Sequence, residues 1–452
     1  SKLVQAQTLN PEDFSEYKDY DVILSNSQDW RDVYSVMLLA GLTGKTGRFL
    51  TSTRHGRIIL PSIAKTNNIL IVTSKKNPWV VGYKSVFEAN GYEHVDEKFY
   101  DNANLELARS LQVKKFIVID DAYGYNSIAV APIAVAGGYW VLFANKRNIN
   151  RVERFLKTKN VEEVIIYGHV DRQVLKALKQ YDPEIIDEGD RFDNNIKIVE
   201  KFLELKPDTK QVVLTNGEFI EVTFFTGHDP VLFIGRTNVP DQIRSFIRDS
   251  PFVAAVLVGN ELIGVATFIR RQIGISVFVK FAQSARIPAG AISPVEDLDR
   301  YWLPRYVLNL TIHNVAYNKV TKSLEVTYHN PASVAEYFKT TINIPTREGN
   351  IVVGDEEPVF IDKGDYKTIS YEMPRPLEGE NLTAKIQTLY GEGKRSLEFM
   401  LESTFKINFI EVNDQSLINI TSLVYSKRKK AFIVTLENLG RADAYADVEI
   451  LD

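Results

Sequence analysis

This 452-residue sequence predicts three repeated α/β units with parallel sheets, followed by all-β sandwich domains. Two internal repeats carry the prediction. The first 286 residues repeat a strand–helix rhythm with a period of roughly 90–95 residues, and the last third repeats an all-strand pattern. Between them, residues 287–307 contain Pro288, Pro294 and Pro304 and read as a linker.

Each α/β unit opens with an apolar strand, at 21–25, 116–120 and 211–215. An Ala-rich helical stretch follows at 34–42 and 127–137 and is shortened in the third unit. A second strand comes next (48–52, 139–144, 230–235), then an amphipathic helix, clearest at 149–159 and 241–249. A third strand follows at 68–74, 163–169 and 254–260. β-Branched strands that alternate with helices argue for parallel sheets covered by helices. Units one and two close with an acidic turn leading into a helix, 99–111 and 191–203. Unit three lacks that element and runs through 273–286 instead. The expected boundaries are 19–111, 112–206 and 207–286, after a polar arm at 1–18.

In the last third, residues 310–342 align without a gap on 418–450, at an offset of 108 residues. Tyr317 falls on Tyr425, Val326-Thr327 on Val434-Thr435, Asn330 on Asn438 and Tyr337 on Tyr445. Each copy alternates apolar and polar residues around a polar turn, the signature of a half-buried β-hairpin. The spacing suits an immunoglobulin-type sandwich. Residues 308–414 are therefore expected to form one complete sandwich and 415–452 the start of another. The second copy holds too few strands to bury a core alone. Either the chain is a piece of a longer one, the reading favoured here, or a partner completes the sheet.

Composition narrows the function. A net charge of −4 leaves no broad basic footprint, which argues against nucleic-acid binding. The run Lys427-Arg428-Lys429-Lys430 reads as a solvated hairpin turn. The absence of cysteine excludes disulfides, thiolate zinc sites and thiol nucleophiles, and fits a protein exposed outside the cell. No apolar run is long enough to span a bilayer. Ser1 follows no basic and apolar leader, so a secretion signal is expected to have been removed already. Asn309, Asn381 and Asn419 stand in Asn-x-Ser/Thr acceptors, all within the predicted β-region, and are candidate glycosylation sites.

Several short motifs resemble the cell-wall-binding repeat type 2 family of Gram-positive bacteria and archaea. Unit two carries most of them: Ala131-Pro132-Ile133-Ala134, Trp140-Val141-Leu142-Phe143, Ile165-Ile166-Tyr167-Gly168 and Asp190-Arg191-Phe192-Asp193. Unit three keeps Val256-Leu257-Val258-Gly259, and unit one the Tyr100-Asp101-Asn102 turn. The family's Gly-Gly pair reads Gly168-His169 and Gly259-Asn260 here, and its closing Thr-Ala reads Asn194-Asn195. The resemblance implies three units packed around a pseudo-threefold axis that hold a surface protein to the envelope without covalent bonds. With the β-repeats, the whole is similar to an archaeal S-layer or large surface-adhesin subunit.

Candidate sites are few. Asp187, Asp190 and Asp193 crowd four carboxylates, with Glu188, into a short acidic run that could bind Ca²⁺. The structural alternative has Asp193 capping the next helix, as Asp101 would in unit one, with Arg191 paired to a carboxylate. No other cofactor is expected. Asp120 and Asp121 end a strand, with Asn26 and Asn216 at comparable places, and could form small ligand sites or a contact surface. Among Trp30, Trp79, Trp140 and Trp302, the loop residue Trp79 is the best surface-contact candidate and Trp140 reads as core. Gly44-Lys45-Thr46 resembles the end of a phosphate loop, but Leu39 stands where the motif needs glycine, and the stretch follows a helix rather than preceding one. The six histidines show no metal-ligand spacing, and His228-Asp229 lacks a nucleophile elbow.

These observations point to a non-enzymatic, structural or adhesive cell-surface protein. Its α/β units would dock to an envelope polymer or to neighbouring subunits in a lattice or filament, with the β-domains as spacers. The competing expectation is the targeting region of a secreted hydrolase whose catalytic domain lies outside this chain.

Overall fold

A computed structural model describes residues 11–235, 238–259, 262–280, 298–379, 381–411, 418–427, 431–439, 446 and 448. The chain divides into an α/β body, Ser1–Tyr306, and a β body, Val307–Asp452.

Unit one of the α/β body contains β1 (Val22–Asn26), α1 (Trp30–Thr43), β2 (Thr46–Phe49), α2 (His55–Ile58), β3 (Ile69–Ser74), α3 (Tyr83–Ala89), β4 (Val95–Tyr100) and α4 (Ala103–Ser110). Unit two follows with β5 (Lys115–Ile119), α5 (Gly124–Gly137), β6 (Tyr139–Phe143), α6 (Ile149–Leu156), β7 (Glu163–Tyr167), α7 (Arg172–Leu178), β8 (Glu184–Ile186) and α8 (Arg191–Leu205). Unit three has β9 (Gln211–Thr215), a short β10 (Phe219–Ile220), a 3₁₀ turn at Val222–Phe225, β11 (Val231–Phe233), α9 (Asp241–Asp249), β12 (Ala254–Val258), α10 (Ile263–Gln272) and β13 (Ser276–Lys280).

Every main pairing is parallel and the same order occurs three times: β2-β1-β3-β4, β6-β5-β7-β8 and β11-β9-β12-β13. Unit three therefore has an outer strand, β13, inside the stretch read from sequence as lacking a closing element. In unit one the helix expected between the second and third strands shrinks to the single turn of α2. The shortened first helix of unit three is the 3₁₀ turn. Strands β1, β3 and β6 are buried along their whole length because helices cover both sheet faces.

One hydrophobic core runs through all three units. At its centre α1, α5 and the Val222–Phe225 turn touch one another pairwise, as three equivalent elements around one axis would. Tyr34 of α1 meets Phe225 edge-on at 5.1 Å between ring centres and Phe143 at 5.7 Å. Gly41 is required by this approach: a Cβ there would sit 2.3 Å from the Phe225 carbonyl oxygen and 2.8 Å from Val135 Cγ2. Helix α1 ends at Gly44 in the left-handed region, with φ +66°. The Lys45 ammonium then donates to the Lys18 carbonyl at 2.7 Å, so the phosphate-loop-like stretch is a helix C-terminus.

A repeated amide joins consecutive units. Asn104 of α4 donates to the Val141 carbonyl of β6 at 2.8 Å and to Ser35 Oγ at 3.0 Å. Asn195 of α8 donates to the Val231 carbonyl of β11 at 3.0 Å and accepts from the Phe233 N–H at 2.6 Å. Val141 pairs with Ile117 and Val231 with Val213, each the third residue of its central strand, so the two asparagines do the same job. Both β6 and β11 are edge strands, and the asparagine amide supplies partners that no further strand provides.

The short β14 (Tyr301–Trp302) pairs antiparallel with β10, and Tyr301 and Leu303 are buried in the α/β core. The end of the expected linker is thus built into this body, because its apolar side chains find a core there.

The β body contains β15 (Thr311–Asn318), β16 (Ser323–His329), β17 (Glu336–Thr346), β18 (Gly349–Gly354), β19 (Val359–Ile361), β20 (Tyr366–Glu372), β21 (Thr383–Gly391), β22 (Phe399–Lys406), β23 (Asn408–Ile410), β24 (Ile418–Ser426) and β25 (Ala431–Asn438). Two sheets, β20-β16-β15-β23 and β18-β17-β21-β22 with β19 beside β17, share one core. Tyr317, Leu324, Val326 and Tyr328 face Phe338, Ile342, Ala384 and Ile386 there. The Tyr328 hydroxyl bonds Thr340 across the core at 2.7 Å. Glu336 opens β17 and is fully buried; one oxygen accepts the Asn309 N–H at 2.8 Å and the other has no partner. Burial pushes its carboxyl up to about 7, against the opposing pull of that single hydrogen bond. The hairpin β24–β25 forms as the repeat predicted, and Arg428, Lys429 and Lys430 of its basic turn lie outside the described residues.

Two outcomes follow. Asn195→Ala strands the Phe233 N–H and Val231 carbonyl, and is expected to destabilise the α/β body by about 2–4 kcal/mol in chemical denaturation. Because the folded Glu336 titrates above its unfolded value, stability contributed by this site is greatest below the ordinary carboxylate range and falls as pH rises to about 7. Glu336→Gln should flatten that dependence and raise the melting temperature above pH 7, measured by calorimetry across pH 4–8.

Candidate functional site

The carboxyl ends of the parallel strands are where an α/β fold places ligand chemistry. In unit one, Asn26 ends β1 fully buried and is committed to holding a loop. Its amide donates to Val80 O at 2.7 Å and Thr73 Oγ1 at 3.2 Å, and its oxygen accepts from the Trp79 and Val80 N–H groups, both at 3.0 Å. Thr53 Oγ1 fixes the Trp79 carbonyl at 3.0 Å. The loop is thus rigid, and Trp79 packs half-buried against the outer cluster of unit one. Its indole Nε1 is buried without a hydrogen-bond partner.

Trp79 lines a cleft of about 510 Å³ together with Thr51, Ser52, Leu298, Arg300, Tyr301 and Trp302. One wall is the turn after β2. His55 bonds the Thr51 backbone and hydroxyl through Nδ1, both at 3.2 Å. Burial pushes its imidazole down to about 4, with Asp299 opposing, so the ring is neutral at physiological pH. The other wall is the 298–302 strap, clamped by β14 on β10. Tyr301 meets Phe49 at 6.0 Å, Trp302 meets Phe219 at 5.3 Å, and the Arg300 guanidinium lies 4.8 Å over the Phe219 ring. Trp302 remains 40% exposed, which gives the cleft an open aromatic face.

The other strand-end residues serve the scaffold. Asp120 is buried rather than surface-exposed, and its carboxylate accepts the Ala122 N–H at 2.9 Å. Asp121 takes Arg31 of α1 at 2.6 Å and Asn145 at 2.8 Å, an ion pair that ties unit one to unit two. Arg31 also grips Asp29, so its charge is shared between two carboxylates. Asn216 accepts from the Glu218 N–H at 3.2 Å. The end of unit two holds an aromatic cluster in which Tyr123 meets Tyr125 at 6.1 Å and His169 at 6.3 Å.

The acidic run does not gather into a cation site. Asp190 caps α8 by accepting the Phe192 N–H at 2.8 Å, and Asp193 lies in the first turn of that helix. Asp187 turns to His169 at 3.5 Å. Burial alone would raise the Asp187 carboxyl, but hydrogen bonds and the charge of His169 outweigh it and hold it below the usual range. Among the described residues no group of three or more His, Asp or Glu could hold a metal ion. The caps also differ from expectation: Asp190 replaces Asp193, and Asn102, accepting from the Leu105 N–H at 2.9 Å, replaces Asp101. Each actual cap has the extended backbone that aims its side chain at the first turn, whereas Asp193 lies inside its helix and Asp101 one residue before the cap. Arg191 stacks on Phe192 and Tyr125. In the β body, Asn309, Asn381 and Asn419 are all exposed, and Asn381 sits in a left-handed turn with φ +66°.

Sequence reasoning singled out Trp79 and Trp302 but missed Arg300, Thr51 and Ser52, which only the fold brings to one cleft. It also missed Asn104 and Asn195, although both lie near the start of a closing helix.

No family model matches the sequence, and no curated protein matches it. Among solved structures, the chain is similar to Cwp8 and Cwp6 from Clostridium difficile. Cwp8 is 16% identical with a TM-score of 0.46, over 59% of this chain and 50% of that one. Cwp6 is 13% identical with a TM-score of 0.41, over 53% of this chain and 41% of that one. The chain therefore spans about half the length of these structures or less.

Asn26→Ala removes four hydrogen bonds, three to the Trp79 loop and one to Thr73 of β3. A red-shifted tryptophan emission and destabilisation of about 2–4 kcal/mol are expected, with Asn26→Asp retaining only the acceptor half.

Proposed function

We propose that this chain is a secreted, non-enzymatic cell-surface protein whose α/β body docks to an envelope polymer or to neighbouring subunits, with β-domains as spacers. The observation that carries the reading is how the strand-end polar groups are used. Asn26, Asp120, Asp121 and Asn216 are all engaged in holding loops and units together. What stays open is an aromatic, hydroxyl-lined cleft at Trp79 and Trp302, suited to contact rather than bond-making. Several such contacts, repeated over many molecules, give avidity without a deep pocket.

Two further features support the finer reading. The β15–β22 order places the first, second and sixth strands in one sheet and the third, fourth, seventh and eighth in the other, as an immunoglobulin-type module would. The exposed Asn309, Asn381 and Asn419 are open to glycosylation. Self-assembly into an S-layer-like lattice would use the same weak, repeated contacts.

The test is sedimentation of the full chain with protein-stripped Gram-positive or archaeal envelopes. The chain should pellet with them, and Trp79→Ala together with Trp302→Ala should weaken binding about tenfold. A chain that stays in the supernatant, both with envelopes and at high concentration alone, would overturn the reading.

A further inference from the structure

An aspartate followed by proline makes a peptide bond that acid can open from within. The carboxylate is a nucleophile next to its own backbone carbonyl, and the proline nitrogen leaves as a secondary amine. The chain holds two such bonds, Asp182-Pro183 and Asp229-Pro230. The fold treats them differently.

Asp182 and Pro183 alone connect the 3₁₀ turn Lys179–Tyr181 to β8. The Asp182 N–H donates to the Lys179 carbonyl at 3.1 Å. On the other side, Glu184 opens β8 opposite Ile165 and is held by Lys201 at 2.6 Å. Fixed from both ends, Asp182 takes φ +47° and ψ +56°, the left-handed region that glycine would occupy without strain. Proline adds to the strain, because its ring pushes the preceding residue toward extended backbone. Lys322 and Asn381 also have positive φ, but Ser323 and Leu382 follow them. Asp182 is exposed, and among the described residues no group holds its carboxylate.

Asp229 is placed the other way. Gln211 donates to its Oδ2 at 2.8 Å, and its φ is negative. Pro230 is buried, and its carbonyl accepts the Val213 N–H at 2.9 Å.

We infer that Asp182-Pro183 is a self-cleavage site that divides the chain in mild acid. A carboxylate oxygen of Asp182 bonds to its own backbone carbonyl carbon. The bond from that carbon to the Pro183 nitrogen breaks, and the nitrogen takes a proton from solvent. Water then opens the five-membered anhydride, leaving Asp182 with two carboxyl groups. One water is consumed, and nothing is oxidised or reduced. Attack turns the carbonyl carbon tetrahedral and frees the backbone, so the stored strain favours the transition state. The pieces 1–182 and 183–452 stay together, because β8 remains paired with β7 and α8 remains packed on α5 in the common core. The inference does not depend on what the α/β body binds.

The test is incubation of the full chain at the lowest pH at which its circular dichroism is native, followed by intact-mass analysis. Pieces 1–182 and 183–452 should appear and co-elute in native size exclusion. Cleavage at Asp182-Pro183 should run at least about tenfold faster than at Asp229-Pro230. In urea at the same pH, where the backbone strain is gone, the two bonds should cleave at similar rates. Pro183→Ala and Asp182→Glu, which remove the leaving group and the five-membered ring respectively, should each stop cleavage at this bond. An intact native chain, equal rates at the two bonds in the folded protein, or a 182–183 bond no faster folded than unfolded would each overturn the inference.

Discussion

The α/β body depends on satisfying the edge strands β6 and β11 of its second and third sheets. Each unit orders its strands with the second one at an edge, which leaves one side of that strand without a neighbouring strand. Buried backbone groups without partners are costly, and an open parallel edge invites pairing with foreign chains. The preceding unit supplies the answer through its closing helix. Asn104 reaches β6, and Asn195 reaches β11. A side-chain amide carries both a donor and an acceptor, so it can stand in for a strand. Because each unit completes the next, the units form one core instead of three separate domains.

That constraint explains why so many polar residues at the strand ends are occupied. Arg31 is shared between Asp29 and Asp121, and so pins α1 to the start of unit two. Asn26 is spent on the loop that carries Trp79. Such groups look like a ligand site when read along the chain, yet in the fold their hydrogen-bonding capacity is already in use. The cleft between Trp79 and Trp302 is different in kind. It is made of aromatic faces, hydroxyls and the Arg300 side chain, held by His55, Thr53 and β14.

The β body follows another logic. Its core is made by two sheets whose alternating residues meet face to face, with Tyr328 and Thr340 joined by a hydrogen bond in the middle. Glu336 departs from this pattern. A buried carboxyl with one partner favours its protonated form, so it holds the Asn309 backbone most cheaply in acid. It makes the entry to this body one of the places where pH is felt, beside Glu392 and Asp355, whose carboxyls burial also raises.

Sequence by itself determined the repeats and the first three strands of each α/β unit in order along the chain, because periodicity and β-branched runs are local signals, but not the outer strands β4 and β8. It placed the β24–β25 hairpin and its 108-residue kinship with β15–β16 before any coordinate was needed. Only the tertiary structure decided which polar residues are free. Asp120 and Asp121 read as surface groups because nothing local shows that a helix 90 residues earlier delivers Arg31 to Asp121. Asp193 and Asp101 read as caps because the helix boundary, set by where the backbone turns extended, shifts by a residue or more with packing. The cleft escaped notice for the same reason: Thr51, Trp79 and Trp302 are brought together by long-range folding, and separations of that length leave no periodic trace in a single chain.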